Sequence, residues 1–166
     1  NLYGADEFRD LDDEALKAYL ADQACCTTDK TAKGNGDPVN LVVIGDPKDI
    51  YTAFIRAGWD ETETVTGGTA WKTVKSFLGG GEYRYSPVSS LYMFKRPQDV
   101  AFQKARDNIH ERNHLRLWMS PVTYQGKPVF LGQISRDIGV RFTKKTITTH
   151  KIDPDVDETR EFLLEN

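Results

Sequence analysis

The sequence is poor in the residues that build metal centres and covalent staples. Among 166 residues there are two cysteines, adjacent at Cys25 and Cys26, and three histidines. With no CxxC pair and no Cys/His ligand spacing, nothing points to a structural zinc site. Neighbouring cysteines are expected not to bond to each other, because the small ring works against ordinary disulfide geometry. They are read as inert loop thiols, with a bond from one of them to a partner, or to a residue outside this sequence, as the alternative. No apolar run approaches the roughly 20 residues that cross a bilayer as a helix, so no membrane span is expected. Positive charge is not in excess: a net charge of -3 and a pI near 5.6 argue against nucleic acid as a partner. GxGxxG, GxxxxGK(S/T) and GxSxG are missing, which removes the familiar phosphate loops and the nucleophile elbow. No cofactor motif and no internal repeat is present. The chain opens at Asn1 without an initiator Met or a signal peptide, so it is expected to be a mature or trimmed product.

What is present suits one folded domain. Apolar residues make up 39% of the chain and include eight Phe, seven Tyr and three Trp, enough to fill a core. Asp12 is placed to cap a short helix whose Leu16, Tyr19 and Leu20 share a face, with Leu11 stapled onto Leu16. A polar loop over residues 27–38 follows and divides an N-terminal arm, 1–36, from the domain proper, 37–166. Leu41-Val42-Val43-Ile44 reads as a buried strand. Asp46 and Pro47 then start a helix with Ile50, Phe54 and Ala57 on one face, and Gly58 stops it. Another helix is expected over residues 69–78, ended by Gly79-Gly80-Gly81. From there the pattern is β: strands at 89–94, 114–119, 128–135, 138–142 and 146–152, with turns at Tyr124–Lys127 and 143–145. In 114–119, Leu115, Leu117 and Met119 alternate with His114, Arg116 and Trp118, giving a core face and a cationic, aromatic face. A last helix opens at Asp153-Pro154. The fold class is therefore α+β, a mostly antiparallel sheet with about three to four helices packed mainly on one side.

Several blocks carry a family resemblance in one order along residues 36–166. They are Gly36-Asp37-Pro38-Val39-Asn40-Leu41-Val42-Val43-Ile44-Gly45, Ala57-Gly58-Trp59, Pro87-Val88-Ser89-Ser90-Leu91-Tyr92-Met93-Phe94 and Arg96-Pro97-Gln98-Asp99-Val100-Ala101-Phe102-Gln103-Lys104. Arg112-Asn113-His114-Leu115-Arg116-Leu117-Trp118, Ser135-Arg136-Asp137-Ile138-Gly139-Val140 and the stretch from Thr149 to Glu158 continue it. Together they resemble the LssY C-terminal domain family. The family's biochemical activity is not settled. Some members carry the domain behind membrane phosphatase domains, whereas this chain resembles the standalone kind. The resemblance implies a bacterial cell-envelope protein, periplasmic or membrane-associated, and carries over no activity from the membrane domains.

Charge placement supplies the candidate site. Seven Asp/Glu stand against Arg9 and Lys17 in residues 1–24, and six against Arg160 in residues 153–166. The middle, 95–151, holds twelve Lys/Arg against four Asp/Glu. Such a distribution either pairs with its own termini or binds an anion. Arg96, Gln98, Gln103, Lys104, His114, Arg116 and Arg136 form the candidate anion-binding set, since guanidinium forks and amides match phosphate or carboxylate oxygens. The competing account is a solvated face with its arginines paired to Asp99 or to the acidic ends. His150 with Asp153 is a candidate acid/base pair or metal ligand, although Asp153 also suits the cap before Pro154. Asp153, Asp155 and Asp157 imitate a calcium loop, but Glu158 stands where its glycine belongs. The expected function is a non-enzymatic domain binding a protein partner or an anionic, phosphate-bearing lipid headgroup. The alternative is a hydrolase or phosphatase using His114 and His150 with Arg96 and Arg116, and the residues alone leave catalysis open.

Overall fold

A computed structural model of the chain describes residues 3–4, 6–62, 90–105, 112–141, 149–152 and 156–165. Its elements are β1 (Arg9–Leu11), α1 (Asp13–Ala21), β2 (Cys26–Thr28), β3 (Asn35–Pro38), β4 (Leu41–Ile44), α2 (Pro47–Arg56) and β5 (Asp60–Glu61). They continue with β6 (Tyr92–Met93), β7 (Arg96–Pro97), β8 (Val100–Ala105), β9 (Arg112–Tyr124), β10 (Lys127–Arg141), β11 (Thr149–Ile152) and α3 (Val156–Glu165).

The hairpin of β9 and β10 organises everything else. Its turn is the expected one: Gln125 and Gly126 both take positive φ, 50° and 72°, the conformation that matches the twist of two antiparallel strands. At 13 and 15 residues, these strands outrun every neighbour, so each is flanked by two shorter ones. β9 pairs antiparallel with β8 and, further along, parallel with β1. β10 pairs with β4 near its start and with β11 near its end, both antiparallel. β5 extends the sheet beyond β8. A second, small sheet runs in the order β3-β2-β6-β7.

Alternation gives the main sheet two buried faces. On the first, Leu115, Leu117 and Met119 join Val100, Phe102, Phe130 and Ile134 beneath α2, which contributes Ile50 and Phe54, and α3, which contributes Phe162 and Leu163. The opposite face divides. Trp118 and Leu131 pack with Met93 of the small sheet, and Val122 and Val129 pack with Leu16 of α1. The mainly antiparallel sheet with helices is as expected, with three helices among the described residues. Two of them share a face and α1 lies on the other, because Leu16 follows Val122 and Val129 there.

Local signals hold in part. Asp12 Oδ1 accepts from the Ala15 amide at 2.8 Å and caps α1. Pro47 opens α2 and Gly58, at φ 79°, follows its end. Asp46 occupies the N-cap position without making the side-chain cap bond, since its carboxylate pairs with Lys127. The strand expected at 89–94 shrinks to Tyr92–Met93, because Phe94 and Lys95 take positive φ and fold the chain tightly into β7. Segments 128–135 and 138–142 were expected as separate strands; residues 127–141 form one strand, with a register shift between Asp137 and Gly139. The N-terminal stretch expected as an arm supplies β1 and α1 to the main body, and β2 and β3 form half of the small sheet. Cys25 and Cys26 are joined by a disulfide, contrary to expectation. Adjacency supplies the closeness of the two sulfurs, and pairing of Cys26 with Pro38 and of the Val39 amide with Cys25 O fixes the backbone on both sides. The helix expected over 69–78, the glycines after it and the turn at 143–145 lie outside the described residues. Among the described residues no helix is long and apolar enough to cross a membrane.

Candidate functional site

On the face that carries Trp118, the strand register stacks two polar rows. Gln103 of β8, His114 of β9 and Ser135 of β10 are direct cross-strand partners. One step along, Ala101, Arg116 and Gln133 form the next row. All four polar side chains of β9 and β10 in these rows are buried, with Arg116 only 4% exposed. Arg116 Nη1 donates to Gln133 Oε1 at 2.7 Å, and Gln133 Nε2 donates in turn to Asp37 Oδ2 at 3.1 Å. β3 brings Asp37 there. The rows thus gather a guanidinium, an imidazole, two primary amides, a hydroxyl and a carboxylate, a set able to grip an oxyanion or a hydroxylated group.

The expected anion set does not converge as a whole. Gln103, His114 and Arg116 come together; the other four are committed elsewhere. Arg96 clasps Asp99 through Nε–Oδ1 at 3.0 Å and Nη2–Oδ2 at 2.9 Å, and also donates to Tyr3 Oη and Met119 O. Asp99 Oδ2 accepts from the Met119 amide, so this ion pair fills the gap on β9 between β8 and β1 as a strand residue would. Burial pulls the Arg96 pKa down, but the Asp99 carboxylate outweighs it and the net shift is upward. Gln98 is 1% exposed, and its Oε1 accepts from the Leu91 amide. Lys104 and Arg136 alternate onto the first face. Lys104 Nζ donates to Ala57 O at 2.8 Å and lies 5.3 Å from the Phe162 ring centre. Arg136 forks onto both oxygens of Glu158 at 2.9 and 3.0 Å and ties α3 to β10. His150, on β11, pairs through its backbone with Val140 of β10; its side chain and all of Asp153 lie outside the described residues.

Asp37, Gln133 and Ser135 belong to the polar rows and escaped the sequence reading. The signal was available for two of them: in Gly132-Gln133-Ile134-Ser135, polar residues alternate with apolar ones as they do in 114–119. Asp37 carried none, since its place depends on β3 folding onto the sheet. Two concavities open elsewhere. One of about 450 Å³ is lined by Asp10, Asp12, Asp13 and Tyr124. The other, about 340 Å³, is lined by Leu20, Cys25, Val39, Leu41, Val42 and Leu131. Among the described residues no three His, Cys, Asp or Glu side chains are placed so that they could hold one metal ion.

Comparison with curated proteins and with solved structures finds no match. The family model described as LssY C-terminus matches residues 16–166, nearly the whole chain, leaving out β1 and the first residues of α1. On that coverage, the chain belongs to the LssY C-terminus family.

Proposed function

We propose that this chain is a non-catalytic binding domain of the bacterial cell envelope, and that the polar rows of β8, β9 and β10 receive the phosphate of an anionic headgroup. The observation that carries this reading is the convergence of Gln103, His114, Arg116, Gln133 and Ser135 on one sheet face in adjacent register rows. Burial strengthens hydrogen bonds to charged groups, so such a seat favours an ion over water more than an exposed one would. The Cys25–Cys26 disulfide supports an oxidising compartment, where such bonds persist. A hydrolase pairing His114 with His150 gains no support from the register. Their partners on β10 are Ser135 and Val140, which puts the two histidine Cα atoms roughly 15–20 Å apart at ~3.3 Å per residue and ~4.8 Å per strand. Nor does Arg96 join Arg116, being clasped by Asp99.

The test is sedimentation of the purified chain with vesicles of phosphatidylcholine alone or with phosphatidic acid added, beside a titration with inorganic phosphate. Binding to the acidic vesicles, weakened at least tenfold by Arg116→Gln and by His114→Gln in chains that still unfold cooperatively, is the expected result. Equal behaviour on both vesicle types with no response to phosphate overturns it. A phosphatase and esterase screen that finds turnover abolished by His114→Ala replaces it with the enzyme reading.

A further inference from the structure

We propose that Cys25–Cys26 is a reversible thiol–disulfide site, worked by an external dithiol, whose state sets how firmly β2 and β3 seat on the main sheet. A structural disulfide stabilises chiefly by closing a loop, and its effect grows with the length of that loop. This one joins residues one apart in sequence, so it closes almost nothing and makes a poor staple.

Its position gives it other consequences. Cys25 is exposed, and Cys26 is half-buried as the first residue of β2. Cys25 O accepts from the Val39 amide at 2.8 Å, and Cys26 pairs with Pro38 of β3. The next residue, Thr27, is fully buried and donates to Asp37 O at 2.9 Å. The backbone that the bond holds is therefore the one that presents Asp37 to Gln133 and Val39 to the Trp118–Leu131 cluster. Cys25 also lines the concavity of about 340 Å³ between α1 and β4, where an incoming thiol has room to approach.

The exchange balances without further reagents. A thiolate of the external dithiol attacks Cys25 Sγ, the S–S bond breaks, and Cys26 leaves as a thiolate that takes a proton from water. The reagent's second thiol, deprotonated, attacks the mixed disulfide and releases Cys25, which is protonated in turn. The reagent departs as its own disulfide, and the chain has gained two electrons and two protons. With the bridge gone, the Cys25–Cys26 peptide is released from the ring, and its pairing with Pro38 and Val39 rests on hydrogen bonds alone.

The experiment uses the whole chain, isolated without reductant and then treated with dithiothreitol. Alkylation followed by mass measurement counts thiols, and amide hydrogen exchange is followed over residues 25–39. The expected result is no alkylated cysteine before reduction, two after it, and recovery of the bond on treatment with oxidised glutathione. Exchange over 25–39 rises several-fold on reduction while that of β9 and β10 holds. The Cys25→Ser/Cys26→Ser variant exchanges like the reduced chain in either buffer. Two free thiols in the oxidised chain, or exchange that is the same in both states, overturns the proposal.

Discussion

Arg96 shows how a charge that looks like a ligand becomes a piece of backbone architecture. Its fork on Asp99, with Met119 N and O bonded to the two side chains, substitutes for a missing neighbour between β8 and β1. Asp99 is 1% exposed, so removing the arginine strands a buried carboxylate. Arg96→Met is expected to cost about 3–5 kcal/mol in urea unfolding, with the Asp99→Asn/Arg96→Met pair recovering part of the loss in a double-mutant cycle. A loss within about 0.5 kcal/mol would mean that water reaches the carboxylate. Lys104 and Arg136 follow the same rule with Ala57 O and Glu158. The sequence shows which residues carry charge, but their partners lie on other elements, and only folding decides which cations are already taken. His114 and Arg116 were legible as a pair because a spacing of two fixes a shared strand face whatever the topology.

At the scale of elements, the β9–β10 hairpin and its two edges set the core. Gly132 of β10 lies where a Cβ would stand 2.9 Å from Leu117 Cδ2 and 3.2 Å from Leu41 Cβ. Gly132→Ala overpacks that contact and is expected to destabilise by about 1–3 kcal/mol with an unchanged urea slope. The docking of β1 is sensitive to acid. Asp10 Oδ1 accepts from the Gly126 amide at 2.9 Å and from Thr123 Oγ1 at 2.8 Å, and these bonds, the Gly126 amide foremost, hold its pKa below the ordinary 3.8. A carboxylate with a depressed pKa stabilises the fold in full above its unfolded value, and that contribution is lost as pH falls through the lower folded one. The difference in melting temperature between the native chain and Asp10→Ala is therefore expected to be constant above about pH 5 and to shrink below 3.8. A difference that widens towards acid would contradict this account of the hairpin turn. The hairpin turn and the helices α1 and α2 were readable because capping and φ > 0 signals are local. β1, β2 and β3 were not, because strands of three or four residues carry too little alternation and form only against a partner distant in sequence.

For the whole molecule, acids of both ends make contacts with the β9–β10 hairpin. Asp13 accepts from Tyr124 Oη, Asp10 from Thr123 and Gly126, and Glu158 from Arg136. Asp10 and Asp13 bind the hairpin tip, and Glu158 binds Arg136 on the first face, whereas Asp157 pairs with Arg160 within α3. These contacts pack the opening residues against the main sheet, although the family match begins only at residue 16, within α1. Deleting residues 1–24 takes away Tyr3, which donates to Met119 O, the β1 pairing with β9, and the Leu16 side chain above Val122 and Val129. Loss of Leu16 and exposure of the two valines, at roughly 1.5–3 kcal/mol for each apolar side chain, comes to roughly 5–9 kcal/mol. That is comparable with the whole stability of many single domains. The shortened chain is therefore expected to lose its cooperative thermal transition, or to melt at least 15 °C lower, and to bind a hydrophobic dye that the full chain does not. Were residues 1–24 only an arm, the two chains would melt within a degree or two of each other, and that outcome would detach α1 and β1 from the account of the core given above.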